Sequence, residues 1–211
     1  MTLRKPTDLD ALDAALAGAT PTLVGDGCRL AVAVYRLLAR GAPVGLAEAA
    51  NDASLPRERA EQLVASWPAV FFDEEERIVG FWGLALQAMT HRLVCAGVEL
   101  SSWCAWDPLF LARIVGDMEV RTHDPVTEDL ITYRVTQDGT ITGLSYPSTV
   151  MSFLCPDRPW DDEIMTRFCH FVWHFTGVES AERWTAKHPG TFTLGLDQAT
   201  ELARRHVARS T

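Results

Sequence analysis

The residues best equipped for chemistry lie in one short segment, Ser101-Ser-Trp-Cys-Ala-Trp-Asp-Pro-Leu-Phe. Cys104 and Asp107 are three positions apart, so on a helix they would share one face. A carboxylate within reach of a thiol can accept its proton and later return it. The segment therefore predicts a thiol and a carboxyl group that act together at the start of a helix.

Two helix starts fit this segment. If Ser101 or Ser102 is the N-cap, Cys104 lies in the first turn, where backbone N–H groups and the helix dipole favour a thiolate. If Asp107 is the N-cap, Pro108 takes the first helical position, which suits proline, and Asp107 has a structural role. The local pattern favours neither start over the other.

A second cysteine lies in the segment Met165-Thr-Arg-Phe-Cys-His-Phe-Val-Trp-His-Phe. The pattern predicts a long helix over Trp160–Thr176 with Cys169 on it. By pattern alone, Cys169 is typical of a core position, because buried free cysteine usually behaves as a small hydrophobic residue.

A zinc site is the alternative for this second segment. His170 and His174 are four positions apart and would supply two ligands from one helix. Cys155 and His123 are the loose candidates for the other two. Because their spacing does not match a known zinc pattern, the sequence disfavours zinc.

The chain carries five cysteines, and it spreads them widely: Cys28, Cys95, Cys104, Cys155 and Cys169. An odd and sparse set argues against a disulfide scaffold and predicts free thiols in a reducing compartment. No apolar run reaches the roughly 20 residues of a membrane span, and the N-terminus lacks a signal-peptide core. The expected location is the cytoplasm, without a membrane partner.

The N-terminal part is predicted to be mainly helical. Its predicted elements are helices at Asp8–Leu16, Gly25–Arg40, Leu46–Asn51 and Arg57–Ser66, then a hairpin from Val70–Phe72 and Arg77–Trp82. This order predicts a winged-helix-like domain over residues 1–82. Residues 1–85 carry 8 basic and 12 acidic side chains, and the whole chain has a net charge of −9. A DNA-reading surface should be electropositive, so the sequence predicts no nucleic-acid partner.

The remainder, residues 83–211, is predicted to be an α+β domain. The predicted elements are a hairpin at His91–Glu99, a helix through Phe110–Val115, strands at Glu119–His123, Leu130–Val135 and Thr140–Leu144, and helices at Trp160–Thr176, Glu179–His188 and Leu196–Arg209. Strands gathered in the middle predict a mixed or antiparallel sheet core flanked by helices, with the N-terminal domain packed on it.

In these segments the sequence resembles the alkylmercury lyase (organomercurial lyase) family. The matching stretches are GLAL at 83–86, HRLVCAGVELSSWCAWDPLFLARIVG at 91–116, EVRTHDPVTEDLITYRV at 119–135, RFCHFVWHF at 167–175 and ERWTAKHPG at 182–190. The Trp-Cys-Ala-Xaa-Asp core and the later Phe-Cys and Lys-His pairs occur in the family's order and at its distances.

The resemblance implies three catalytic residues, Cys104, Asp107 and Cys169. It implies that the two cysteines bind the mercury of the substrate as thiolates, and soft thiolates are its preferred ligands. Asp107 would approach the same metal and carry the proton to the carbon as the carbon–mercury bond breaks. No organic cofactor is implied. Small cytosolic thiols, with mercuric reductase as a further partner, would remove the Hg(II) product.

Three positions depart from the family pattern. His170 stands where many members have a second cysteine, and Asp124 stands where members often have a cysteine with a structural role. Pro108 follows Asp107, and a proline inside a helix costs about 3 kcal/mol, which would displace Asp107. Cys155 is an extra thiol that is expected to lie at the surface or in packing.

Two other functions compete with the organomercurial lyase. One is a homologue that uses the same three residues on a different organometal or electrophile. The other is a thiol-based mercury-binding regulator, in which the N-terminal domain would bind DNA. The acidic N-terminal domain and the retained Asp107, which a sensor would not need, both count against the regulator.

Overall fold

The computed structural model describes residues 8–209. It begins with four helices: α1 (Leu9–Ala19), α2 (Asp26–Leu38), α3 (Leu46–Asp52) and α4 (Arg57–Ala65). The Asp8 carboxylate caps α1 by accepting a hydrogen bond from the Ala11 N–H at 2.7 Å. The apolar face predicted for α2 is buried, with Leu30, Val34 and Leu38 all at 0% exposure. These helices therefore form where the apolar period of 3.6 residues predicts them.

A hairpin joins the helices to the rest of the molecule. Strands β1 (Val70–Phe72) and β2 (Ile78–Phe81) pair antiparallel, and β2 continues the pairing into β3 (Leu84–Ala85). The helices and the hairpin occur in the predicted order. Strand β2, before the predicted division, pairs directly with β3, after it, so the two parts of the chain share one sheet. The winged-helix assignment and the division at residues 82 and 83 stay predictions.

The larger sheet has eight strands in the order β1-β2-β3-β5-β4-β6-β7-β8, all paired antiparallel. Its further strands are β4 (His91–Cys95), β5 (Val98–Ser102), β6 (Met118–His123), β7 (Leu130–Val135) and β8 (Ile141–Thr142). Along β6 the side chains alternate between buried and exposed, which is the pattern of a strand with one face on the core. Helix α5 (Asp107–Val115) leaves the end of β5 and packs against α2 and on this sheet.

A second, three-stranded sheet has the order β10-β9-β11 and is also antiparallel. It consists of β9 (Val150–Leu154), β10 (His174–Phe175) and β11 (Thr191–Gly195). Helices α7 (Val178–Thr185) and α8 (Leu196–Ala208) complete the fold, and α8 packs against α1 and α5. The α+β class with flanking helices is confirmed, and the sheet pairing is antiparallel throughout the described residues.

The predicted helix over Trp160–Thr176 is wrong. The segment forms a short helix α6 (Ile164–Arg167), a 3₁₀ turn at Cys169–Phe171 and strand β10. Phe168 leaves the helical region with φ −127° and ψ −60°. Ser152 of β9 then holds the chain, because its hydroxyl donates to the Phe171 carbonyl at 2.8 Å and accepts from the Trp173 N–H at 3.0 Å. A contact across about twenty residues therefore overrides the local helical pattern.

Strands β9 and β11 were not among the predicted elements. They pair with each other over five residues in register, from Thr191 opposite Leu154 to Gly195 opposite Val150. Across residues 8–209, no helix is both long and apolar enough to pass through a membrane.

Candidate active site

Cys104 lies in a bend between β5 and α5, and α5 begins at Asp107 itself. Trp106 is the N-cap residue, and Pro108 lies in the first turn of the helix. The N–H groups of the first turn have no partner within the helix, so a proline there removes nothing. The predicted cost of Pro108 is therefore absent. Cys104 precedes the helix instead of lying in its first turn, which is closer to the second of the two predicted starts.

The carboxylate of Asp107 turns back onto Cys104. Its Oδ2 accepts the Cys104 backbone N–H at 2.7 Å, and its Oδ1 accepts the Cys104 thiol at 3.3 Å. Both oxygens are thus engaged by one residue, three positions earlier in the chain. Asp107 is in direct contact with the thiol proton that the sequence predicts it to carry.

Gly83 makes room for this carboxylate. Its φ is +94°, and a Cβ added to it would lie 2.7 Å from Asp107 Cγ and 2.9 Å from Asp107 Oδ1. The Gly83 carbonyl also accepts the Trp103 N–H at 3.0 Å, which anchors the residue before Cys104. Sequence reasoning missed Gly83. The only signal was its place in the GLAL stretch, since a required close approach of two residues is invisible in one sequence.

Cys169 lies beside Cys104, although it belongs to a distant segment of the chain. It is the first residue of the 3₁₀ turn, and its thiol is a hydrogen-bonding neighbour of the Cys104 thiol. The backbone also joins the two segments, because the Ala105 N–H donates to the Val172 carbonyl at 3.1 Å. The structure therefore brings Cys104, Asp107 and Cys169 together although 65 positions separate the cysteines. None of the five cysteines, all of which lie within residues 8–209, forms a disulfide.

All three groups are buried, with Cys104 at 0%, Cys169 at 4% and Asp107 at 5% exposure. Burial raises the pKa of Asp107 to about 7, although hydrogen bonds from Cys104 and Trp103 act to lower it. Burial, the hydrogen bond with Cys169 and the negative charge of Asp107 raise the pKa of Cys104 well above its usual value. These effects favour the protonated thiol of Cys104. The first-turn position that would favour a thiolate is not adopted, because Cys104 precedes the helix.

The pKa of Cys169 has opposing causes. The contact with the Cys104 thiol lowers it, whereas burial and the charge of Asp107 raise it, and the net shift is upward. The Cys169 thiol is consequently also protonated at neutral pH. A metal that binds both sulfurs must displace a proton from each.

Cys169 and Trp103 line two cavities. The outer cavity, of about 340 Å³, is lined by His91, Trp103, Met165, Cys169 and Trp173, among others. The inner cavity, of about 30 Å³, is lined by Asp107, Cys169 and mainly aromatic side chains. Only Cys169 of the three predicted catalytic residues borders both. Of the two thiols, it is the one that a molecule in the outer cavity meets.

The residues of the alternative zinc site do not come together. His170 is exposed, whereas His174 is fully buried and its Nε2 lies 3.2 Å from the Tyr133 hydroxyl. The change from 3₁₀ turn to strand between them removes the helical spacing that the zinc site required. Within residues 8–209, no three or more His, Cys, Asp or Glu side chains are arranged to hold a metal ion.

Asp124 joins three parts of the fold instead of acting in the site. Its buried carboxylate accepts hydrogen bonds from the Val126 N–H, the Thr176 N–H and hydroxyl, and the Ser180 hydroxyl, at 2.8 to 3.1 Å. Burial acts to raise its pKa, but these hydrogen bonds outweigh burial and lower it. The carboxylate thus links the turn after β6 to β10 and α7.

Sequence comparison places the chain among known enzymes. The family model described as "MerB: Alkylmercury lyase" matches residues 84–208, which is more than half of the chain. An alkylmercury lyase of Staphylococcus epidermidis is 31% identical over 177 residues, covering 83% of this chain and 80% of its own. One of Bacillus cereus is 32% identical over 172 residues, covering 81% and 77% respectively.

Comparison with solved structures agrees on the fold. The crystal structure of the mercury-bound form of MerB2 superposes with a TM-score of 0.74 at 21% identity, covering 97% of this chain and 100% of that one. The region matched by the family model begins at Leu84, directly after Gly83, and includes Cys104, Asp107 and Cys169. On the family match and the relatives above 30% identity, this chain belongs to the alkylmercury lyase family of carbon–mercury-cleaving enzymes.

Proposed function

We propose that this enzyme cleaves organomercurials by protonolysis, giving a hydrocarbon and Hg(II). In this proposal Cys104 and Cys169 bind mercury as thiolates, and Asp107 transfers a proton to the departing carbon. The contact of Asp107 with Cys104 is the observation that carries the proposal. One carboxylate accepts hydrogen bonds from both the N–H and the S–H of Cys104, and the Cys169 thiol lies beside the Cys104 thiol.

The first step takes place at Cys169, because this thiol borders the outer cavity and the Cys104 thiol does not. The substrate arrives as an organomercury cation bound to a carrier thiolate. The sulfur of Cys169 forms a bond to mercury, the bond from mercury to the carrier breaks, and the carrier thiolate leaves with the Cys169 proton. Charge is conserved, and the organomercury group is now on Cys169.

The second step uses the Cys104 proton. Asp107, as a carboxylate, accepts it through the 3.3 Å contact, and the Cys104 thiolate bonds to mercury. Two thiolates on mercury donate electron density, so carbon can leave with the bonding electron pair. Asp107 returns its proton to that carbon as the carbon–mercury bond breaks. A pKa of about 7 suits a group that must accept and return a proton near neutral pH.

The product Hg(II) then remains on the two cysteines. Soft thiolates hold it strongly, so release requires competing thiols from solution, which reach the site through the outer cavity. Cytosolic thiols meet this requirement, and mercuric reductase is a further candidate acceptor. The mechanism uses no organic cofactor, since the proton and the ligands all come from side chains.

The test is hydrocarbon release from methylmercury in the presence of excess thiol, with methane measured by headspace gas chromatography. Cys104→Ser, Cys169→Ser and Asp107→Asn should each abolish methane. Asp107→Asn should still bind Hg(II) at one equivalent, because both thiols remain. Cys155→Ser is the matched control, since Cys155 is a half-buried free thiol outside the site, and it should keep the wild-type rate.

Stoichiometric mercury binding without methane or benzene from any mercurial would overturn the proposal in favour of a mercury-binding regulator. Hydrocarbon release that persists in Asp107→Asn would show that another group delivers the proton.

A further inference from the structure

The two cavities that Cys169 borders differ in volume and in their contact with Asp107. We propose that the inner cavity receives the organic group of the substrate, and that its size makes methyl and other short alkyl mercurials the preferred class. This inference rests on the proposed function, because it assumes that Asp107 protonates the departing carbon.

The position of Asp107 decides which cavity holds the carbon. A proton donor must lie within hydrogen-bond reach of the atom that accepts the proton. Asp107 borders the inner cavity, and the residues lining the outer cavity do not include it. Mercury on Cys169 would lie beside both cavities, because Cys169 lines both. The carbon bound to that mercury must therefore point inward, while the outer cavity serves for access and for the carrier thiol.

The volume of the inner cavity limits what can point inward. It is about 30 Å³. A cavity holds one water-sized group from roughly 10–15 Å³ upward, and a cavity of about 150 Å³ binds benzene. A neighbouring cavity of about 50 Å³ shares Tyr35 and Trp82 with it, yet even the two together stay well below the benzene volume. A methyl or ethyl group fits, and a phenyl ring does not.

The wall of the inner cavity resists enlargement. Phe110, Ile164 and Phe168 line it, and all three are at most 6% exposed. Phe110 packs edge-on against Trp106 with ring centroids 5.3 Å apart, and Phe168 packs edge-on against Phe153 at 5.4 Å. Close-packed aromatic walls of this kind yield little to an oversized group.

Helix α6 supplies a matched pair of variants to test this. Ile164 lines the inner cavity, and the next residue, Met165, lines the outer one. Together with Trp160 and Phe168, Ile164 also lines a third cavity of about 380 Å³. Ile164→Ala therefore enlarges the inner cavity and opens it toward this space, whereas Met165→Ala enlarges only the outer cavity.

The measurement is kcat/KM for methane release from methylmercury and for benzene release from phenylmercury, both with excess thiol. The intrinsic reactivities of the two bonds are the same in every variant, so the change in the phenyl-to-methyl ratio reports on the cavity. We expect Ile164→Ala to raise that ratio by about tenfold or more, since one methylene in an apolar pocket is worth about 10–200-fold. Met165→Ala should leave it within about twofold.

Phe110→Leu, on α5, enlarges the same cavity from another element and should raise the ratio as well, which covers a failure of Ile164→Ala to fold. An unchanged ratio in a folded inner-cavity variant, or a larger change in Met165→Ala, would overturn the inference and assign the organic group to the outer cavity. Absence of hydrocarbon from both substrates would instead overturn the proposed function, and this inference with it.

Discussion

Replacing Gly83 with alanine should damage the site more than it damages the fold. The new Cβ would lie 2.7 Å from Asp107 Cγ and 2.9 Å from Oδ1, closer than Cβ contacts normally come. The carboxylate must move, and it can move only by giving up the hydrogen bonds from Cys104 at 2.7 and 3.3 Å. Asp107 would thereby lose its contact with the proton that it carries.

The expected loss of stability in Gly83→Ala has two parts, and the loss of rate is estimated separately. Alanine at φ +94° costs about 1–2 kcal/mol of backbone strain. Loss of the hydrogen bonds to a buried carboxyl adds about 1–3 kcal/mol. A misplacement of about 1 Å in a reacting group can lower a rate by about 100-fold. We therefore expect the free energy of unfolding to fall by about 2–5 kcal/mol and kcat for methane release to fall by about 100-fold.

Gly97→Ala is the matched control. Gly97 has φ +83° in the turn between β4 and β5, and an added Cβ would meet nothing within 4 Å. It should lose about 1–2 kcal/mol of stability through strain alone and keep the wild-type kcat. Urea unfolding gives the stabilities, and headspace gas chromatography gives the rates. If Gly83→Ala matched Gly97→Ala in both measurements, the argued clash with Asp107 would be refuted.

Two further predictions concern Asp107, and one each concerns Asp124 and Pro108. The kcat/KM for methylmercury should rise with pH through about 7, because Asp107 must be ionised to accept the Cys104 proton; a flat profile would contradict this. Because its folded-state pKa is raised from 3.8, Asp107 contributes stability below pH 4 that is lost as the pH rises to about 7. In urea unfolding, the free energy of unfolding of the wild type minus that of Asp107→Asn should therefore fall as the pH rises from 4 to about 7. Asp124→Ala should lower the free energy of unfolding by about 2–4 kcal/mol, because it strands several buried donors; a loss below 1 kcal/mol would show that these bonds are dispensable. Pro108→Ala should change stability by no more than about 1 kcal/mol and leave kcat unaltered, since proline in a first turn displaces no hydrogen bond. A large loss of methane release in that variant would mean that Pro108 itself positions Asp107.

Local pattern predicted the elements whose burial follows a simple period. The face of α2 with Leu30 and Val34 and the alternation of β6 both fold as their sequences indicate. The spacing of three residues also predicted the contact of Cys104 with Asp107, although Cys104 lies just before the helix and the two residues do not share a helix face.

The features that the sequence did not predict depend on contacts between residues far apart in the chain. The break at Phe168 is held by Ser152 from another strand, and no pattern within Trp160–Thr176 reveals it. Cys169 looked like a core residue for the same reason, because its partner is 65 positions away. The need for Gly83 arises from an approach to Asp107 through space. The catalytic roles assigned to Cys104, Asp107 and Cys169 came from the family resemblance, and the contacts that bring these residues together became visible only in the structure.

The hydrogen bond from the Ala105 N–H to the Val172 carbonyl ties the two thiol-bearing segments together. Under the proposed mechanism, Hg(II) bridging Cys104 and Cys169 adds a second cross-link at the same point. A ligand that binds only the folded state stabilises it by RT ln(1 + [L]/Kd). Product binding and folding are therefore thermodynamically linked. A variant that binds Hg(II) more tightly should be harder to unfold in its product-bound state and should release the product more slowly. The thermal midpoint should then report product release: it rises when mercury is retained and returns when competing thiols remove it.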